Sequence, residues 1–378
     1  MNRVPSVFFY ISGHGFGHTV RDIAVINALG ARLPECEMVV RTSAPRRLFD
    51  QSVRVPIRFL EGDNDTGIVQ IDSLRLDEAA TIGLAAEFHR TLPSRSTAEA
   101  AILREHDARL VISDAPPLAC TAAGVAGIPS VVLSNFTWDW IYEGYERQLA
   151  AAPDLLPAMR NAYAQATEGW RLPMHGGFAT IPRVVDVPFV ARHARADRTA
   201  QDVRRDLSLP CDRPLVLFSF GGYGVAGLPF DELDCLSDAG VVVTAPAGQM
   251  GSIEGPVLRV AEEDIYGRGL RYVDLVAAVD VVATKPGYGI IADCVANDTA
   301  MLYTSRGRFV EYDVMVAQMP RVLRCEYIDL DAFLAGRWRD ALTRLLCQPP
   351  PPERPRTDGA DVVANMIVER LATSRGIR

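Results

Sequence analysis

The run Val7-Phe8-Phe9-Tyr10-Ile11-Ser12-Gly13-His14-Gly15-Phe16-Gly17-His18, followed directly by the helical periodicity of Thr19 to Leu33, constrains the fold of this chain more than any other feature. An apolar, aromatic run that breaks into glycines and restarts at helical spacing reads as a buried strand, a tight turn and a helix N-terminus. That unit is the building block of parallel α/β sheets. Gly13, Gly15 and Gly17 let the backbone turn tightly and approach a ligand closely, and the helix that follows offers unpaired N–H donors and the positive end of its dipole. The turn therefore suits an anion. His14 and His18 add groups that exchange protons near neutral pH, which a plain phosphate cradle does not require. Chemistry is expected here, beside a phosphate or a sugar hydroxyl.

The strand-helix alternation continues. Strands are predicted at Ser6–Ile11, Glu37–Arg41, Ile57–Leu60, Leu110–Ser113 and Ser130–Ser134, with helices at Thr19–Arg32, Pro45–Gln51 and Leu118–Ala126. A less regular stretch from Trp138 to His193 holds a predicted helix at Leu155–Thr167 and then extended, proline-punctuated chain. A second alternating set has strands at Pro214–Phe220, Val241–Thr244, Leu258–Ala261, Val281–Thr284 and Ala300–Tyr303, and helices at Phe230–Ser237, Val273–Val279, Ile290–Ala296 and Glu311–Met319. Pro349 to Pro352 form an extended linker, and Asp358 caps a final helix at Gly359–Ala372 that can return to the first lobe. The expectation is an α/β protein with two doubly wound parallel sheets facing a cleft: residues 1–190, residues 191–348, and a linker and C-terminal helix at 349–378. The crossover falls near 185–205.

A length of 378 residues with 48% hydrophobic content supports two such cores. The formal charge of -8 argues against nucleic acid or an anionic membrane as the main partner. Small-molecule ligands become the default. The seven cysteines, Cys36, Cys120, Cys211, Cys235, Cys294, Cys325 and Cys347, show neither a C-x-x-C pair nor zinc-finger spacing. They read as reduced thiols of a cytoplasmic protein. The N-terminal apolar run reads as a strand and not as a signal peptide, and no apolar stretch is long enough to span a bilayer, which leaves peripheral membrane contact open.

A second glycine turn, Lys285-Pro286-Gly287-Tyr288-Gly289, follows the predicted strand Val281–Thr284 and opens the helix from Ile290. Its helix N-terminus favours a diphosphate, and Lys285 adds positive charge. Asp293, in the first turn of that helix, can bind paired sugar hydroxyls or simply suit the helix dipole. Glu311, within Arg306-Gly307-Arg308-Phe309-Val310-Glu311-Tyr312, can contact hydroxyls or cap its helix. A third turn, Ser219-Phe220-Gly221-Gly222-Tyr223-Gly224, opens the second lobe as a ligand loop or as a bare turn. All three lie at carboxyl ends of parallel strands, where open α/β sheets bind ligands.

This pattern resembles the two-lobed GT-B fold of nucleotide-sugar glycosyltransferases, in the branch of the UDP-glycosyltransferases and the bacterial enzyme that adds N-acetylglucosamine to the peptidoglycan lipid precursor. The segment Gly13 to Arg21 and the stretch Asp280–Met319 resemble more closely still the glycosyltransferase-like N-terminal region of plant arabinose kinases. The likeness of pattern covers nearly the whole chain, but only the first turn and residues 269–319 are specific. It implies that His18, with His14 as the neighbouring candidate, is the base, and that Asp114 in Val111-Ile112-Ser113-Asp114-Ala115-Pro116 orients it; otherwise Asp114 caps the next helix. It implies a nucleobase edge at Arg271-Tyr272-Val273-Asp274 and a diphosphate turn at Gly287, Tyr288 and Gly289, while the other two glycine turns, read by themselves, offer donor contacts at Gly15, Gly17, Gly221 and Gly222. The chain departs from the plant pattern at Lys285 and Asp293, where that pattern has histidine and glutamate, and at Glu311-Tyr312, where it has an acid-amide pair. The implied reaction is a metal-independent, inverting displacement from a nucleoside diphosphate sugar, a UDP-sugar first, to an acceptor hydroxyl. The donor is a substrate and no cofactor is implied; the acceptor, a small molecule, glycan or lipid, cannot be read.

Two rivals use the same cleft: a nucleotide-sugar epimerase, and a non-catalytic nucleotide-sugar-binding module. A dinucleotide oxidoreductase is disfavoured because the first turn lacks the third glycine of that fingerprint and Arg41-Thr42-Ser43 offers no ribose acid, although Arg41 tolerates a 2′-phosphate. Asp63-Asn64-Asp65 superficially resembles a D-x-D metal motif and reads as a solvated turn. Phe136, Trp138, Trp140, Tyr142 and Tyr145 stand where a first-lobe acceptor wall would lie, or pack as a loop over the core.

Overall fold

The computed structural model describes residues 6–71, 75–220, 239–245, 257–305 and 307–375. The first sheet has seven strands, β1 (Ser6–Ile11), β2 (Glu37–Thr42), β3 (Ile57–Glu61), β4 (Ala108–Asp114), β5 (Ser130–Phe136), β6 (Glu168–Gly176) and β7 (Val184–Asp186), in spatial order β3-β2-β1-β4-β5-β6-β7. Among the described residues the second has six, β8 (Leu215–Ser219), β9 (Gly240–Ala245), β10 (Val257–Ala261), β11 (Val281–Thr284), β12 (Ala300–Tyr303) and β13 (Cys325–Tyr327), in order β10-β9-β8-β11-β12-β13. Every pairing within both sheets is parallel. Helices cover both faces of such a sheet, which is why β1 is apolar in nearly every position and buried at all of them. Strand order reverses between β1 and β4 and again between β8 and β11, and a crevice opens at each reversal.

The predicted strands appear within a residue or two of their expected ends. β6, β7 and β13 were not anticipated. β6 carries Arg171 and Pro173 where a core strand would be apolar, and is recognisable only through partners distant in sequence, such as the Arg171 pair with Asp186 on β7 at 2.7 Å. The helix expected at Leu155–Thr167 stops at Tyr163 because β6 begins at Glu168. The helix expected at Phe230–Ser237 lies outside the described residues.

The chain crosses between lobes twice, and the crossings are tied together. Phe189 N–H donates to the Arg356 carbonyl at 3.2 Å, and Gly359 N–H donates to the Phe189 carbonyl at 2.9 Å. A Cβ at residue 359 would run into the Pro188 carbonyl, so close approach requires glycine there. Beyond this point the helix Gly359–Arg375 packs on the helix Phe16–Arg32, with Val363, Ala364, Ile367 and Leu371 in one buried cluster with Ile23, Ile26 and Leu29. The C-terminus of the chain thereby braces the helix that carries His18. Among the described residues no helix is long and apolar enough to cross a membrane.

Ile367 is fully buried in that contact. Ile367→Ala is expected to lower unfolding free energy by about 2–4 kcal/mol, whereas exposed Glu369→Ala should change it by less than about 0.5 kcal/mol. Urea titration followed by circular dichroism checks both.

Candidate active site

The helix Phe16–Arg32 begins at its N-cap Gly15, which has φ 76°, a conformation that favours glycine. His18 then lies in the first turn, with Arg21 and Asp22 three and four residues on, on one helix face. That face meets the ends of β4 and β5. His18 Nδ1 is 2.9 Å from Oδ1 of Asp114, the last residue of β4, which is fully buried. A carboxylate only accepts, so Nδ1 donates in this contact, and in the neutral imidazole the lone pair falls on Nε2. Nε2 makes no hydrogen bond among the described residues. Phe136 stands edge-on to the imidazole at 5.5 Å between centroids.

Arg21 closes the network. Its Nε donates to Asp114 Oδ2 at 3.1 Å, its Nη2 donates to Asp114 Oδ1, and its Nη1 donates to Asn135 Oδ1. Asn135, near the end of β5, donates in turn to the Pro173 carbonyl of β6 at 2.6 Å. Burial alone would raise the Asp114 carboxyl, but the Arg21 guanidinium and His18 hold it well below the usual carboxylate range. The next residue, Ala115, has φ 77°, a left-handed conformation unusual for a residue with a Cβ. Its carbonyl accepts from Tyr163 Oη at 2.6 Å, which helps to hold the turn.

His14, the neighbouring candidate, is committed elsewhere. Its Nδ1 accepts from the Ile68 N–H at 3.3 Å, its Nε2 lies 3.4 Å from the Gln70 amide, and its ring stands edge-on to Trp138. It pins the loop 63–70 over the first sheet. Gly67, at φ 57°, is required there because a Cβ would come within 2.6 Å of His14 Cβ. Asp63-Asn64-Asp65 is correspondingly not the solvated turn expected. Asn64 is buried and its Nδ2 donates to the carbonyls of Ile11 and Arg41 at 3.2 and 2.6 Å, tying together the ends of β1 and β2. Asp65 accepts from Ser12 Oγ at 3.1 Å and Trp138 Nε1 at 2.8 Å. Desolvation pushes its carboxyl up to about 6 against those two hydrogen bonds.

On the second lobe, Lys285 and Gly287 follow β11, and the helix Tyr288–Asn297 starts at the expected turn. A Cβ on Gly289 would lie 3.6 Å from Gly17 Cα, so the two helix N-termini meet across the cleft. A small pocket beside this contact is lined by Gly17, Arg21, Asn135, Phe189, Tyr288 and Gly289. Asp293 does not open on it. Buried, it accepts from the Arg192 backbone N–H at 3.0 Å and from its Nε at 3.0 Å, anchoring the crossover to the second lobe. Its carboxyl oxygens thus face Arg192, where a ribose contact was expected. Asp274 does similar work, accepting from Arg195 N–H at 2.7 Å and from Arg271. Tyr272 Oη donates to Ser219 Oγ at 2.7 Å, the Val273 side chain is in the core, and Glu311 is buried at the start of its helix. Gly221 and Gly222 lie outside the described residues.

The loop before Glu311 closes the cleft on its other side. Phe309 is buried among Ile68, Phe136, Trp138, Tyr142 and Tyr145 of the first lobe, and Arg308 reaches Glu78 at 3.3 Å and the Gly144 carbonyl at 3.4 Å. A Cβ on Gly144 would run into Val310. Phe136, Trp138, Tyr142 and Tyr145 thus pack as a buried cluster rather than presenting open faces. Arg21, Asp22, Asn135, Ser12 and Asp65 went unnoticed as site residues; the i+3 and i+4 spacing of Arg21 and Asp22 from His18 was the available signal.

No family model matches the chain. L-arabinokinase of Arabidopsis thaliana is 28% identical over 369 residues, covering 96% of this chain but only 34% of that protein. The chain therefore spans about a third of the length of this relative. Among solved structures, CalG4, the calicheamicin glycosyltransferase, superimposes with TM-score 0.64 at 14% identity over 98% of this chain and 99% of its own. A UDP-glucosyltransferase from Polygonum tinctorium gives 0.60 at 14% over 98% and 94%, and glycosyltransferase VinC in complex with dTDP gives 0.56 at 15% over 97% and 95%. The fold is the GT-B fold of these glycosyltransferases.

Because the Asp65 carboxyl is raised in the folded state to about 6 from 3.8, the native state binds its proton more tightly than the unfolded chain does. Its contribution is full below the unfolded value and is lost as pH rises through about 6. Stability is expected to fall between pH 4 and pH 7 by at most ~1.4 kcal/mol per pH unit from this group, and Asp65→Asn should flatten that slope in thermal unfolding measured across the range. Gly144→Val should part the loop contact and enlarge the radius of gyration in small-angle scattering; an unchanged radius would mean that the loop does not hold the lobes together.

Proposed function

We propose that this chain is a metal-independent, inverting glycosyltransferase that moves a sugar from a nucleoside diphosphate sugar, a UDP-sugar first, to a hydroxyl-bearing acceptor. The His18–Asp114 pair carries the reading: Nδ1 is held at 2.9 Å by a buried carboxylate, which fixes the tautomer that gives Nε2 a lone pair. His18 Nε2 takes the acceptor proton while the acceptor oxygen bonds to the anomeric carbon. The bond from that carbon to the diphosphate breaks on the opposite face, and its electrons leave with the nucleotide. One displacement inverts the anomeric centre. The imidazolium formed is balanced by Asp114, and the departing diphosphate by Lys285 and the facing helix N-termini at Gly17 and Gly289. Residues 1–190 would serve the acceptor, residues 191–348 the donor, in the cytoplasm. The name of the Arabidopsis relative makes L-arabinose a sugar to include among trial acceptors.

Calorimetric titration with UDP-, GDP-, dTDP- and ADP-sugars and NADP tests the donor site. One nucleotide-sugar class is expected to bind saturably, about tenfold more weakly to Lys285→Ala, and His18→Ala should slow transfer by about 10²–10⁴ without abolishing binding. Binding of NADP alone, or of nothing, overturns the reading, and release of sugar without any acceptor would favour an epimerase.

A further inference from the structure

Asp22 is fully buried, yet neither of its carboxyl oxygens is met by a hydrogen-bond partner among the described residues when it is written as a carboxylate. A buried carboxylate without donors is strongly disfavoured; a neutral acid needs only one acceptor for its O–H. Asp114 stands within hydrogen-bonding reach. Asp114 takes three hydrogens, from His18 Nδ1 and Arg21 Nη2 on Oδ1 and from Arg21 Nε on Oδ2. A carboxylate has about four acceptor positions, so Oδ2 keeps one.

We propose that Asp22 is a neutral carboxylic acid whose O–H donates to Asp114, filling its last acceptor position and making Asp22 a positioning residue for His18. Burial and the Asp114 charge both hold the Asp22 carboxyl well above the usual carboxylate range, against the opposing pull of Arg21. Few other charges bear on it from the packed elements. The loop 63–70 brings Asp65, which bears on both His18 and Asp114; the C-terminal helix meets the His18 helix through Val363, Ala364 and Ile367 and pairs its Asp361 with Arg32 at 2.7 Å; the helix Tyr288–Asn297 brings Asp293 already paired to Arg192; and in Arg46–Ser52 Arg46 faces Asp50. Arg21 and Asp22 therefore share the task of saturating Asp114, one as a cation and the other as an acid. With four donors the carboxylate is fixed in plane and its charge is spread. It steers His18 without holding the imidazolium too tightly to release its proton. Without the acid, Asp114 would hold the His18 proton more firmly and His18 would titrate higher.

The location of the proton is tested on the full chain by isotope-edited infrared difference spectroscopy at pH 7.5, wild type minus Asp22→Asn. A carbonyl band of a protonated carboxylic acid is expected, and its absence overturns the proposal. The positioning role, which rests on the glycosyltransferase reading only for its consequence in catalysis, is read by NMR titration of His18. Asp22→Asn keeps a donor and should leave the titration in place; Asp22→Ala should move it upward by about half to one pH unit. An unmoved titration in folded Asp22→Ala overturns that role, and Asp22→Leu takes its place if the alanine variant does not fold. With a donor and acceptor in hand, Asp22→Ala should lower kcat about tenfold and move the acid limb of the rate profile in the same direction, with KM little changed and activity restored in Asp22→Asn. Failure of the wild type to transfer sugar would count against the glycosyltransferase reading alone, because the infrared and NMR results stand without turnover.

Discussion

The buried carboxylate of Asp114 is the constraint around which the first lobe is arranged. A full negative charge at the end of β4 is tolerable only where donors surround it, and the helix Phe16–Arg32 supplies His18 and Arg21 from one face. Arg21 then needs its own acceptor, found in Asn135 at the end of β5, and Asn135 needs one for its amide, found at Pro173 in β6. The network thus links a helix to three adjacent parallel strands and fixes where the helix sits over the sheet. The C-terminal helix packs on the outer side of the same helix, so displacement of His18 would disturb apolar contacts as well as polar ones.

The interface between the lobes follows from a different set of interactions. Arg192 with Asp293 and Arg195 with Asp274 fasten the crossover to the second lobe, and nearer Pro188 and Phe189 the returning segment is hydrogen-bonded to it. On the far side of the cleft, Phe309 fills a first-lobe aromatic cluster. In this closed arrangement Gly17 and Gly289 come together, and the space between the two helix N-termini is too narrow for a diphosphate. Under the proposed function a donor lying between them would need the lobes to part, which would loosen the Phe309 contact and could leave the Arg192 anchor in place.

Much of this architecture was legible in the sequence because parallel strands buried on both faces are continuous apolar runs, and β1, β8 and β11 lead into glycine turns. Val281–Thr284 and Ala300–Tyr303 match their strands residue for residue. β6 was not legible: its Arg171 and Pro173 are tolerated by pairing with β7 and by the carbonyl that Pro173 offers Asn135, partners no local window contains. The same limit explains Asp293 and Asp65. A first-turn aspartate reads alike whether it faces a ribose or an arginine a hundred positions earlier, and Asp65 was taken for surface because its partners, Ser12 and Trp138, lie on other elements. The glycine turn marked His14 and His18 alike, and only the family resemblance put His18 first. What distinguished it from His14 was the burial of Asp114, which is a three-dimensional fact.

One helix therefore presents two electrostatic faces. Its N-terminus turns unpaired N–H groups and a positive dipole end toward Gly289 and the second lobe, while its flank turns His18, Arg21 and Asp22 toward Asp114. The proposed displacement would use this division, because the leaving group gains negative charge as the base gains positive charge. In the proposed displacement the two changes would fall on opposite sides of the reacting carbon, the base beside Asp114 and the leaving group toward the helix N-termini. Arg21 belongs to the second face even though it is cationic and lines the pocket beside Gly17. With its guanidinium bound to Asp114 and Asn135, its charge is already matched within the first lobe.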